Sequence, residues 1–210
     1  AMFDSVETVL SQPIIIPSIP AQFFDDFFSI NRKHINPQAL VVDVSSVKVK
    51  PLKSLERLLP KTCQIIGTHP MFGPSSVQKN GGLTGLRCAV CPVRAEKDTS
   101  EALRKLLEND LGLRVITMSA KQHDKETAYV MGLSHYIGRV MSEMNIPESE
   151  LSTLAYEDLI DMKRIQGTDS WDLFQSIITE NEFTDTVRDE FQRACQRLDS
   201  KLENSETNKK

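Results

Sequence analysis

Two short polar motifs carry the residues of this chain best suited to chemistry. Asp43-Val44-Ser45-Ser46-Val47-Lys48 follows the apolar run Ala39 to Val42, and Gly67-Thr68-His69-Pro70-Met71-Phe72-Gly73-Pro74 follows Cys63 to Ile66. An imidazole titrates near neutrality and can exchange a proton with a bound hydroxyl, a serine can hydrogen-bond the same oxygen, and a lysine offers charge to a carboxylate. Ligands of open α/β sheets bind outside the carboxyl ends of the strands. If the two apolar runs are neighbouring parallel strands, Ser46, Lys48 and His69 therefore converge on one crevice, and the expected constellation is an active site.

The elements that must position these residues alternate through the first part of the chain. Pro13 to Ile16 reads as a strand, Ala21 to Ile35 as an amphipathic helix, and Ala39 to Val44 as a strand. Phenylalanines at 23, 24, 27 and 28 share one face of that helix and are expected in the core. Pro51 to Leu59 reads as a short helix with proline in its first turn, and Gln64 to Thr68 as a strand. Ser75 to Gly85 reads as a polar loop that could cover the crevice. A strand at Leu86 to Val93, a helix at Thr99 to Asp110 with Thr99 as N-cap, and a strand at Arg114 to Met118 follow.

Strand signals stop there. Gln122 to Met144, Glu148 to Ile165, Ser170 to Thr179 and Glu182 to Leu202 all read as helices, punctuated by Pro147 and Gly167. The expected fold is a partial, doubly wound, Rossmann-like α/β sheet over residues 1–119, an all-α helical domain over 120–203, and a disordered polar tail over 204–210.

A net charge of −4 and a pI near 5.6 give no broad basic field, which argues against nucleic-acid binding as the main activity. No apolar stretch approaches the ~20 residues of a bilayer span, and no signal-like segment opens the chain, so a cytoplasmic protein is expected. Cys63, Cys88, Cys91 and Cys195 are too few and too irregular for a disulfide framework. Cys88 and Cys91 form a lone C-x-x-C inside a strand, where positions three apart face opposite sides; buried packing is expected there, and no metal site. A strand followed by G-x-G-x-x-G and a helix, the usual dinucleotide fingerprint, does not occur in these residues; Gly81-Gly82-x-x-Gly85 opens no helix.

Four motifs in order carry a resemblance: Asp43 to Lys48, Thr68 to Pro74, Gln122-His123-Asp124, and Ser134-His135-Tyr136-Ile137-Gly138-Arg139. Together with Asp169-Ser170-Trp171-Asp172-Leu173-Phe174, they resemble the prephenate and arogenate dehydrogenases of tyrosine biosynthesis, most closely the plant-type arogenate enzymes, over roughly Phe3 to Asn181. The resemblance implies a nucleotide-binding domain followed by a helical dimerisation domain, and oxidative decarboxylation of arogenate or prephenate with NADP or NAD. On that plan the chain begins in the middle of the first domain, without its fingerprint half.

The resemblance also implies roles. His69 accepts the proton of the substrate's ring hydroxyl and Ser46 hydrogen-bonds near it, with a turn cap as the alternative for Ser46 and a strand-end role for His69. Lys48, His135 and Arg139 are the candidate carboxylate binders. His135 and Arg139 sit four apart on one helical face, and the alternative for them is a pair at a domain interface. Ser18, Ile19 and Pro20, beside the nicotinamide, and Asp43 are the cofactor-side candidates. His123-Asp124 reads as structural. Bacterial-type enzymes carry a second histidine where this chain has Gly138. The expected partners are the small-molecule substrate and a second copy of the chain, with no nucleic acid and no membrane. A second reading is a shortened, non-catalytic homologue serving as a dimeric binding or regulatory module; another β-hydroxyacid-type dehydrogenase is a third.

Overall fold

The computed structural model describes residues 4–167 and 169–207, and the chain divides into two compact units, 1–124 and 125–210. The first unit is built on five strands: β1 Ile14–Ile15, β2 Leu40–Asp43, β3 Gln64–Pro70, β4 Arg87–Arg94 and β5 Arg114–Thr117, in the spatial order 1-2-3-4-5. β1, β2 and β3 run parallel, joined by crossovers through α2 (Phe24–Asn31) and α3 (Val49–Leu58). A parallel pair needs such a crossover, since a tight turn can only reverse the chain. β2 and β3 are apolar along their length, and Val41, Ile65 and Ile66 are fully buried.

The register pairs Asp43 with Gly67, so the Ser46 turn and the His69 segment leave the sheet at the same end of adjacent parallel strands, as the two motifs predict. β3 runs two residues further than the sequence pattern suggests. β4 returns antiparallel alongside it, pairing Thr68 with Val90, His69 with Ala89 and Pro70 with Cys88, and this ladder keeps His69 within the strand.

The core of this unit lies between the sheet and α2 and α3, around Phe24, Phe28, Leu52, Leu55 and Ile65. The four phenylalanines do not act as one face. Phe24 and Phe28, four apart on α2, are fully buried; Phe27 packs edge-on against Phe28 at 5.2 Å and is half-buried. Phe23 is exposed, because it belongs to a 3-10 turn (Ala21–Phe23) whose tighter winding rotates it off the helix stripe.

Ser75 to Gly85 corrects the expectation of a loop. α4 spans Pro74–Asn80, with proline at its first position and Gly81 closing it in the left-handed conformation at φ 73°. None of its residues is buried, so it lacks the apolar periodicity that would reveal it. α5 (Lys97–Lys105) starts two residues before Thr99, which is therefore inside the helix and not its cap, and a π-helical turn (Leu106–Asp110) extends it.

The second unit is helical. α6 (Ala120–Thr127), in which the division between the units falls, continues through a π-helical stretch (Ala128–Leu133) into α7 (Ser134–Glu143). α8 (Leu154–Gln166) begins later than the sequence pattern suggests, where Thr153 caps it by accepting from the Tyr156 N–H. α9 (Trp171–Thr179) is capped by Ser170, and α10 spans Thr184–Thr207. Asn204 to Thr207 are thus helical where a disordered tail was expected, and residues 208–210 of that tail lie outside the described residues. No helix among the described residues is long and apolar enough to cross a membrane.

Gly138 shows why α7 and α8 approach so closely. A Cβ at this position would lie 2.9 Å from Gln166 Cβ and 3.1 Å from the Met162 carbonyl oxygen, and the second of these is backbone that cannot move aside. Gly138→Ala is expected to destabilise the protein by about 1–3 kcal/mol through overpacking, read from urea unfolding monitored by the helical signal. A side chain as large as histidine has no room here.

Candidate active site

The turn after β2 is organised by a buried ion pair. Lys48 and Asp43 are both fully buried, and the Lys48 ammonium donates to Asp43 Oδ2 and, at 2.7 Å, to the Thr68 carbonyl. Asp43 Oδ1 accepts the Ser45 N–H at 3.0 Å, and Thr68 Oγ1 donates to the Asp43 carbonyl at 2.9 Å. Lys48 thereby stitches the end of β2 to the end of β3. Both residues were candidates for ligand contact from sequence; in the structure each spends its charge on the other.

His69, 4% exposed, ends a line of three buried polar side chains. Its Nδ1 lies 2.9 Å from Nε2 of His123, and Nδ1 of His123 lies 2.7 Å from Oδ1 of Asp124. Asp124 also accepts the backbone N–H of Lys48 on Oδ1 and that of Val49 on Oδ2, each at 2.8 Å. These are donors at the start of α3, where a carboxylate satisfies groups that have no partner within the helix. The start of α3 at Val49 rather than Pro51 follows from that contact, made across more than seventy residues.

Burial first, then the neighbouring His123 and Lys48, hold the His69 imidazole well below its ordinary pKa. At neutral pH it is uncharged, the form in which an imidazole accepts a proton. The thiols nearby are not nucleophiles: burial pushes Cys88 up and Cys91 up to about 11, so both stay protonated and pack as small apolar groups.

Ser46 sits half-buried at the bend between β2 and α3, and its hydroxyl has no hydrogen-bond partner among the described residues. Ser18, Ile19 and Pro20 form the loop after β1, at the same end of the sheet; Ser18 and Pro20 are exposed, while Ile19 packs on the core. The sequence reading sets this loop beside the ring end of a dinucleotide. Its pyrophosphate finds no counterpart among the described residues. The start of α3 already holds the Asp124 carboxylate, and the left-handed glycines 81, 82, 85 and 112 follow helices or lead into strands without opening a helix.

In the second unit His135 and Arg139 do meet on one feature, the segment before α9. His135 Nδ1 lies 2.9 Å from Asp169 Oδ2, although off the line of a hydrogen bond, and Arg139 Nη2 donates to the Asp169 carbonyl at 2.6 Å. The guanidinium lies beside the rings of Trp171 and Phe174, 5.9 and 5.1 Å from their centroids, and its Nε has no partner among the described residues. Desolvation lowers the His135 pKa, partly offset by Asp169. A mainly apolar cleft of about 510 Å³ opens beside Arg139, lined also by Tyr136, Met144, Trp171 and Phe174.

Sequence reading took His123 and Asp124 as structural and missed that His123 touches the candidate base and that Asp124 holds His123. The available signal was their place just after the last strand, in the Gln122-His123-Asp124 motif.

Comparison with known proteins agrees with this architecture. Residues 1–117 match the model of the prephenate dehydrogenase nucleotide-binding domain, and residues 140–210 match that of a TYRAAT1-like C-terminal domain. The chain is 30% identical over 179 residues to a chloroplastic arogenate dehydrogenase 2 of Arabidopsis thaliana, covering 83% of this chain and 46% of that protein. It spans under half the length of the curated relatives it matches. Prephenate dehydrogenase of Aquifex aeolicus has the same fold, with a TM-score of 0.73 at 21% identity over 97% of this chain and 75% of that one. A second structure of that enzyme, with hydroxyphenyl propionate and NAD+, gives a TM-score of 0.70 at 21% identity, covering 95% of this chain and 72% of that one. With more than half of its residues matched by the family's nucleotide-binding domain, and a sheet that continues into helices as in its relatives, the chain belongs to the prephenate dehydrogenase family.

Proposed function

We propose that this chain supplies the proton-accepting part of a dehydrogenase site that oxidises and decarboxylates arogenate or prephenate, as the names of its relatives indicate. The observation that carries this reading is His69: a buried imidazole, held neutral, at the carboxyl end of a central strand. His69 takes the proton of the ring hydroxyl, and Ser46, on the adjacent turn, hydrogen-bonds the same oxygen. Loss of the ring carboxylate as carbon dioxide then follows from the gain of aromaticity. His135 and Arg139 are the proposed carboxylate binders. Lys48 and Asp43 support the site from beneath, by holding the two strand ends together.

The dinucleotide, NADP or NAD, would supply the hydride acceptor, with Ser18, Ile19 and Pro20 beside its nicotinamide. Its pyrophosphate calls for residues other than those described. Exposed apolar side chains on the helical unit, Leu151 and Leu154 among them, suit pairing with a second copy. The free cysteines suit a reducing compartment such as the cytoplasm.

A second reading is a dimeric binding module without turnover. It is favoured by one observation, that a carboxylate of the chain itself occupies the start of α3.

Titration with NADP and NAD, followed by turnover of arogenate and prephenate from pH 5 to 9, tests the first reading against the second. Because the His69 pKa is lowered, its base form persists as pH falls, and the acid limb of kcat/KM is expected below the ordinary histidine value of about 6.5. A limb above that value contradicts His69 as the base. Binding of either acid with no turnover under any dinucleotide supports the module.

A further inference from the structure

We propose that His123 and Asp124 are positioning residues that place the His69 proton on Nδ1 and leave Nε2 as the lone-pair atom. The same carboxylate fixes the turn that bears Ser46. The description of Nε2 as the working atom rests on His69 being the base; the placement of the proton does not.

The argument follows from what each atom can do. An ionised carboxylate only accepts, so the 2.7 Å contact between Asp124 Oδ1 and His123 Nδ1 requires a proton on that nitrogen. In neutral His123 the other nitrogen, Nε2, is then an acceptor. It lies 2.9 Å from His69 Nδ1, which must be the donor. A neutral His69 has one ring proton, and with that proton on Nδ1 its Nε2 is bare. A general base needs that state.

Asp124 is well placed to dictate the direction of the chain. It is fully buried, and the N–H groups of Lys48 and Val49 hold its two oxygens at 2.8 Å, so it can neither rotate away nor exchange its partners for water. Lys48 lies two residues beyond Ser46. One carboxylate therefore ties the base, through His123, to the turn carrying the serine. A helix cap alone would leave the His69 tautomer free to choose, and this difference separates positioning from a merely structural role.

The test reads the tautomer directly. In the 15N-labelled protein, long-range 1H–15N correlation spectra at neutral pH are expected to show His69 protonated on Nδ1, with assignment from the His69→Gln spectrum. In Asp124→Asn the amide oxygen can keep a backbone donor of α3 while its NH2 donates to His123 Nδ1. The proton of His123 then moves to Nε2, His69 Nδ1 becomes an acceptor, and His69 is protonated on Nε2. Turnover is expected to fall about 100-fold or more with KM nearly unchanged.

His69 protonated on Nε2 in the unmodified protein, or still on Nδ1 in Asp124→Asn, overturns the proposal. If Asp124→Asn does not fold, the spectrum of the unmodified protein decides alone. A tautomer that switches as expected while turnover stays normal upholds the relay and rejects His69 as the base, so the two readings fail separately.

Discussion

Replacing His69 with glutamine is expected to lower turnover of arogenate or prephenate by about 10²–10⁴-fold, the usual contribution of a positioned acid or base, while the chain stays folded. Glutamine is the informative choice. His69 is nearly fully buried and faces Nε2 of His123, so alanine would leave both a cavity and an unpaired buried acceptor. An amide of similar reach can still donate to His123 but accepts a proton far too weakly to act as a base. Steady-state kinetics alongside a thermal melt separate the two effects. Full turnover in a folded His69→Gln would remove this residue from the chemistry.

The largest effect on stability is expected at Lys48. Lys48→Met leaves the Asp43 carboxylate fully buried and without its cation, a change that costs about 3–5 kcal/mol in comparable buried pairs. Removing both charges, as Lys48→Met with Asp43→Leu, is expected to recover most of that loss, because the desolvation of both ions is avoided. Urea unfolding of the two single variants and the double variant measures the coupling. If Lys48 instead served a substrate carboxylate, Lys48→Met would weaken substrate binding with stability near normal. The two roles are therefore distinguishable in one set of proteins.

Much of the first unit was legible because its elements announce themselves locally. Val41, Val42, Ile65 and Ile66 are β-branched runs of the right length, and each is followed by polar residues where the strand ends. α4 escaped that logic because a helix that buries nothing leaves no periodic trace; Pro74 at its start and Gly81 at its end were the remaining signals. Phe23 and Thr99 were misplaced for a related reason. Each depends on where a helix begins, and a shift of one or two residues moves a side chain to another face.

The candidate site divides in the same way. His69 and Ser46 were readable because both follow apolar runs that the βαβ topology makes neighbours. The part played by His123 and Asp124 was not readable, since it depends on contacts to residues 48, 49 and 69, far away along the chain.

By itself, the sequence determined the family, the alternation of strands and helices, and the end of the sheet at which His69 and Ser46 emerge, because hydrophobic patterning and motif spacing are local properties. Only the tertiary structure decided the partners of the charged and titratable groups. Lys48 turned inward to Asp43, and Asp124 reached the start of α3, because a buried polar atom takes the nearest partner in space, wherever that partner lies along the chain.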